Sequence, residues 1–230
     1  MKTIARTWLI IGIAGVGLAA RTTIASPATS PASDSGFRAV AAGNRIRVAV
    51  GPTNRIRLTA DDGPWRDQEV PTFSSLFDIA YGNDGFVAVG NEGVVLSSSN
   101  GMNWVGHSAG TDERLRAVIF GKGLFVAVGY EGTIISSADG EHWTVRESGS
   151  RQRLLSICYD RDVFVIVGWN GVILTSRDGQ RWTKRSSGTT SHLIRVASME
   201  GMFVAPGKDG SVLTSTDGVM WRHTDAFAVR

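Results

Sequence analysis

The side chains able to do covalent or metal chemistry are few. They are three tyrosines (Tyr81, Tyr130, Tyr159), four histidines (His107, His142, His192, His223) and one cysteine, Cys158. The histidines make no close metal-ligand motif and Cys158 offers no cluster, so no metal centre is expected. The single cysteine also excludes an intramolecular disulfide. No phosphate-binding glycine loop occurs, because the glycines recur at a fixed period instead. Nothing implies a cofactor.

Recognition chemistry is better represented. Asn91-Glu92, Tyr130-Glu131, Trp169-Asn170 and Lys208-Asp209 each fill a Gly-x-x-Gly frame. A constant frame with variable filling is how a binding surface looks, and ordinary solvated turns are the alternative. Tyr130 and Trp169 would stack on a sugar or anchor a protein, with Glu92, Glu131 and Asn170 supplying hydrogen bonds. Nearby segments add Asp112, Glu113, Arg114, Arg151, Arg153 and His192.

The elements that position these residues follow from a repeat. Gly51, Gly90, Gly129, Gly168 and Gly207 are 39 residues apart, and so are Trp65, Trp104, Trp143, Trp182 and Trp221. Five units result: 37–75, 76–114, 115–153, 154–192 and 193–230. Within 115–153, LRAVIFG, LFVAVG, TIISS and WTVRES are separated by glycine-containing turns, which are strand and hairpin signals. Four strands per ~40 residues predict an all-β chain, a β-propeller of five four-stranded blades. With strands ordered from inside to outside, the Gly-x-x-Gly loops and the loops joining blades share one face of the disc, and the turns between strands three and four lie on the other. Cys158 shares its repeat position with Ala41, Ala80, Ile119 and Ala197, so it reads as an inert buried thiol.

The turn between strands three and four repeats as SSNGMNW from Ser98, SADGEHW from Ser137, SRDGQRW from Ser176 and STDGVMW from Ser215. These turns resemble a shortened Asp-box of the sialidase-type propellers, lacking one residue between Asp and Gly. The FVAVGxxGxIxxSxDG pattern also resembles the propeller family of photosystem II assembly factors. The resemblance spans all five repeats and implies a propeller fold and structural roles for Asn100, Asp139, Asp178 and Asp217. Each loop offers one carboxylate or amide, too few oxygens for calcium.

Sialidases use a tyrosine nucleophile and an arginine cluster. Here Tyr81 and Tyr159 share their repeat position with Phe120, which says packing, and no long inserted loop builds a pocket. No enzymatic activity is expected. The resemblance to assembly factors implies a protein partner. Glycan binding is the runner-up, weakened because a multivalent lectin would repeat its binding residues in every blade.

Two positions break the repeat. On the inner strand, Asp78 and Arg195 stand where other units have Ala39, Ala117 and Ser156, which suggests an ion pair or a solvated channel lining. In the first unit, one residue added before strand three and one removed before Trp65 leave Val48, Val50, Ile56 and Leu58 on one sheet face. Arg47 and Arg57 then fall on the other, where later units have Phe and Val or Ile. Either they pair with acids such as Asp61, Asp62 or Asp67, or that face docks another chain.

Lys2 and Arg6, an apolar run from Trp8 to Ala20, and Thr23-Ile24-Ala25 read as a secretory signal over 1–25. The run is 13 residues, short of the ~20 a bilayer needs, so a membrane contact is expected only through an uncleaved leader. Residues 26–36 (SPATSPASDSG) read as a tether. The expected location is periplasmic or secreted. Lys2, Arg6 and Arg21 account for the whole net charge of +3, so the mature chain carries 21 of each sign and nucleic acid is not an expected partner.

Overall fold

The computed structural model describes residues 36–224. They form twenty strands in five antiparallel four-stranded sheets, each a simple meander. The blades are β1–β4 (Ala39–Gly43, Ile46–Val50, Ile56–Ala60, Arg66–Gln68), β5–β8 (Leu76–Gly82, Gly85–Gly90, Val95–Ser98, Val105–His107) and β9–β12 (Leu115–Gly121, Leu124–Gly129, Ile134–Ser137, Thr144–Arg146). Blades 4 and 5 are β13–β16 (Leu154–Asp160, Val163–Gly168, Ile173–Ser176, Thr183–Arg185) and β17–β20 (Ala197–Met199, Met202–Pro206, Val212–Ser215, Arg222–Thr224). The first strand of each blade lies innermost, beside the first strand of the next. The leader and nearly all of the tether lie outside the described residues.

Strand alternation sends neighbouring residues to opposite sheet faces, and blades 2 to 4 bury both. Phe86, Ala88 and Leu96 pack back onto Val48, Val50 and Ile56 of blade 1. Val87, Val89 and Val95 pack forward onto Phe125, Ala127 and Ile135. The pattern repeats between blades 3 and 4 and between blades 4 and 5. We call these the rear and forward faces. Each Trp of the 39-residue series, from Trp104 on, sits in the junction with the preceding blade. Four hydrophobic clusters therefore join five blades, and among the described residues none joins blade 5 to blade 1.

The strand three to four turns are locally self-sufficient. Asp139 Oδ1 accepts the backbone N–H groups of Glu141 and His142, each at 2.8 Å, while Ser137 Oγ accepts that of Gly140. Asn100 Oδ1 does the same for Met102 and Asn103 at 2.9 Å. Asp178 and Asp217 repeat the bonds. The indole N–H groups of Trp104, Trp143 and Trp221 donate to the carbonyls of Gly101, Gly140 and Gly218, whereas that of Trp182 has no partner.

Blade 1 corrects one expectation. No residue is inserted before its third strand: Val48 pairs with Leu58 and Ala49 with Arg57, as Val87 pairs with Ser97 and Ala88 with Leu96. The 39-residue register runs unbroken through the loop. Val48, Val50, Ile56 and Leu58 do share the forward face, and Arg47 and Arg57 the rear. Arg57 consequently replaces Leu96, Ile135, Leu174 and Leu213, not the Val or Ile one residue earlier. Only Gly63 of the turn is displaced, and there Thr59 Oγ1 donates to the Gly63 carbonyl.

Candidate functional site

The Gly-x-x-Gly loops and the blade-joining segments share one face, tied by backbone bonds. The N–H of Asn91 donates to Ser75 O, Tyr130 to Arg114 O, Trp169 to Arg153 O and Lys208 to His192 O, at 2.8–3.0 Å. Each loop thus carries its variable side chains beside the segment entering the same blade. On the opposite face, Asn83 of a strand one to two hairpin donates to Ala138 O of the next blade's turn.

This pairing builds a continuous ladder. The Trp169 ring stacks on His192, centroids 4.6 Å apart and 9° from parallel. Arg153 lies 4.1 Å from the Trp169 centroid and 4.4 Å from that of Tyr130. Arg114 lies 4.9 Å from Tyr130 and 5.2 Å from Phe77, and Arg38 and Arg116 also flank Phe77 at 4.3 and 5.3 Å. Each cation–π contact contributes about 0.5–1 kcal/mol at an exposed site, so the ladder is rigid as well as basic. Arg38, Arg114 and Arg153 make no ion pair with a carboxylate among the described residues. The Arg38 guanidinium is held below its ordinary value by burial first, then by Arg116 and Arg114. Three cations around one phenyl ring form a concentrated positive field.

The ladder changes the part assigned to its aromatics. His192 and Arg153 cover Trp169, and Arg114 and Arg153 cover Tyr130, so neither ring offers a sugar an open face. What they present is ring edges and guanidinium groups. Asn170 donates its Nδ2–H to Gln152 Oε1, and its backbone N–H meets His192 Nδ1. Glu92 accepts from Ser74 Oγ, and the Asn91 amide oxygen is buried without a partner. Glu131 and Lys208 are exposed. Asp209 accepts the N–H and Oγ of Ser211, which together hold its carboxyl down at about 2. At the tip of the loop joining blades 1 and 2, Phe73 is 93% exposed on this same face.

The remaining candidates lie elsewhere. Arg47 pairs with Asp62, and Arg57 with Asp67 through two bonds, Nε–Oδ1 at 2.6 Å and Nη2–Oδ2 at 3.2 Å. Arg57 and Arg55 also flank the Phe37 ring. The arginines are thus paired on the rear face of blade 1. Asp78, on the inner strand, accepts the N–H of its neighbour Ile79 and that of Val118 in the next blade. Although the residue is only part-buried, its carboxyl is enclosed, which pushes it up to about 6 against the pull of those bonds and of Arg116 and Arg195. Ser156, in the same column two blades on, accepts the N–H of Val196 in the same way.

Tyr81 and Tyr159 pack on Phe86 and Phe164 at 4.8 and 4.4 Å, as Phe120 packs on Phe125. Burial and the carboxylates of Asp84 and Asp162 raise both phenols, the reverse of nucleophile activation. Among the described residues no three His, Cys, Asp or Glu side chains converge as a metal site would require. Arg38, Phe77 and Arg116 were not expected to take part. Their column, one residue before that of Asp78, reads Arg38, Phe77, Arg116, Leu155 and Ile194, and its alternation of guanidinium and phenyl was the available signal.

The fold is that of a β-propeller, with its side-chain variety concentrated on one loop face. No protein-family profile and no curated protein matches the chain. Solved structures do. YCF48 bound to a D1 peptide superimposes with a TM-score of 0.67 at 15% identity, over 85% of this chain and 68% of that one. YCF48 from Cyanidioschyzon merolae gives 0.63 at 16% identity, over 83% and 72%. The WD40 propeller domain of Doa1 gives 0.66 at 13%, over 85% and 70%. At these identities the likeness is one of fold.

Proposed function

We propose that the chain is an exported, non-catalytic propeller that binds a protein segment on its ladder face, as an assembly module of the bacterial envelope. The observation that carries this reading is the unbroken series His192, Trp169, Arg153, Tyr130, Arg114, Phe77 and Arg38. It is asymmetric, as a single partner requires, and pre-stacked, so little side-chain entropy remains to be lost on binding. Its guanidinium groups suit carboxylates, and the exposed Phe73 suits an apolar anchor. The YCF48 structure with its D1 peptide shows that a protein of this fold takes a peptide. The serine and aspartate turns support grouping the chain with the Asp-box propellers, and the leader supports export.

The test is affinity capture from a solubilised envelope fraction on immobilised 26–230. Arg114→Ala/Arg153→Ala and Tyr130→Ala/Trp169→Ala variants with unchanged circular dichroism run in parallel. A protein captured by the wild type and lost with both variants supports the reading. Retention on a glycan array that depends on Trp169, with no protein captured, would replace it with a lectin.

A further inference from the structure

The variable loops of blades 2, 3 and 4 are held down by different atoms. In blade 2 the N–H of Gly93 donates to the carbonyl of Glu113 at 3.1 Å, and in blade 3 that of Gly132 donates to the carbonyl of Gln152 at 2.9 Å. These bonds tie each loop to the segment leaving its own blade. The 39-residue register calls for Gly171 on Ser191 in blade 4, and among the described residues that bond is not made. Its place is taken one residue earlier, where the N–H of Asn170 meets His192 Nδ1 at 3.3 Å. A peptide N–H can only donate, so Nδ1 must carry a lone pair and the neutral ring holds its proton on Nε2. In blade 4 a side chain that changes charge near neutral pH therefore does what a backbone carbonyl does in the sister loops.

His192 also stands in the cation column of the ladder. Arg114, Arg153 and His192 are 39 residues apart. Arg153 covers Tyr130 of the preceding blade at 4.4 Å, and His192 covers Trp169 of the preceding blade at 4.6 Å. A guanidinium offers only donors, so Arg153 cannot accept from the Glu131 N–H as His192 does from that of Asn170. We propose that His192 is a proton-operated latch: neutral, it pins the Asn170 peptide, and protonated, it releases that peptide and becomes the third cation of the column. A proton on Nδ1 faces the Asn170 N–H, two donors only 3.3 Å apart. The ring stays on Trp169, because an imidazolium over an indole face is attracted as a guanidinium is. The peptide yields instead. Trp169 N–H on Arg153 O and Val172 N–H on Trp169 O hold the loop on either side, so release is confined to Asn170 and its side-chain bond to Gln152.

Three charged groups are set against this joint. Arg153 lies 4.1 Å from the Trp169 centroid, and Lys208 donates its backbone N–H to His192 O at 2.8 Å. Asp209 reaches Ser191 Oγ through its backbone N–H at 3.4 Å, and Ser211 and Ser191 hold its carboxyl down at about 2. None of the ion pairs among the described residues includes His192. Guanidinium, ammonium and carboxylate groups ordinarily keep their charge between pH 5 and pH 8, so the proton that moves is the imidazole's. The latch needs no partner to operate, and it makes the His192 end of the ladder more cationic in acid.

The test follows the isotope-labelled protein by heteronuclear NMR from pH 8 to pH 5, reading the His192 ring and the Asn170 amide together. The amide is expected to shift with the midpoint of the ring. Its protection against exchange, corrected for the intrinsic rate, is expected to fall about fivefold, as loss of one ordinary hydrogen bond allows. The Gly132 amide, held by a carbonyl, is expected to keep its protection. His192→Phe keeps a ring on Trp169 and removes the acceptor. Its Asn170 amide is expected to show at pH 8 the protection that the wild type shows at pH 5, and not to titrate. The wild-type titration stands by itself should that variant misfold. An Asn170 amide that holds its position and protection while the ring titrates would overturn the proposal. So would a ring still neutral at pH 5, or an Asn170 titration that persists in His192→Phe.

Discussion

The carboxylate of Asp78 receives the backbone N–H of Val118 at 2.9 Å across the junction between blades 2 and 3. The bond staples two inner strands, yet enclosure raises the group to about 6. The folded protein therefore holds this proton more tightly than the unfolded chain does. The associated stability is fully present below the ordinary value of 3.8 and is lost as pH rises through 6. We expect urea unfolding to show the wild type losing about 2 kcal/mol more than Asp78→Asn between pH 4 and pH 7. Parallel profiles for the two proteins would remove the carboxyl as the cause.

Asp139, Asp178 and Asp217 act in the opposite sense. Their backbone N–H donors hold the carboxyls below the ordinary range, Asp178 at about 2, so this stability is lost only as pH falls below 3.8. The chemistry of the turn needs an acceptor oxygen and no charge, as Asn100 demonstrates. Asp178→Asn is therefore expected to cost less than about 0.5 kcal/mol and Asp178→Ala about 1–2 kcal/mol, by chemical denaturation at pH 7.

Gly171→Ala and Gly123→Ala share a positive φ, at +66° and +72°, and differ in space. The first would drive a methyl into the Thr189 carbonyl. We expect Gly123→Ala to cost about 1 kcal/mol and Gly171→Ala several times more, read from the midpoint in urea.

Cys158 is buried, and burial first and Asp160 second push its thiol far up. Ellman's reagent at pH 8 is expected to leave the native protein unlabelled and to label it fully in denaturant. Rapid native labelling would contradict the burial.

Legibility in the sequence followed the range of the interaction. The blade plan was readable because it rests on a single 39-residue column of Gly and Trp and on strands whose apolar residues fill both faces. Asn100, Asp139, Asp178 and Asp217 were readable because each bonds only two and three residues ahead. The ladder was not, because it depends on which neighbouring blade a long side chain reaches: Arg153 enters blade 4 but also caps Tyr130 of blade 3. The same limit hid the covering of Trp169, which an isolated sequence presents as an open ring. In blade 1, the late Gly63 suggested a shifted strand, but strand pairing kept its register and the turn alone absorbed the change.

The ion pairs on blade 1 also limit how the array can grow. A further unit placed before Phe37 would have to strip water from Arg47, Arg57, Asp62 and Asp67, a desolvation of several kcal/mol per ion. The forward valines of an inner unit would find guanidinium and carboxylate there instead of the Phe and Leu that blades 2 to 5 present, so lengthening this protein by duplication is closed on that side.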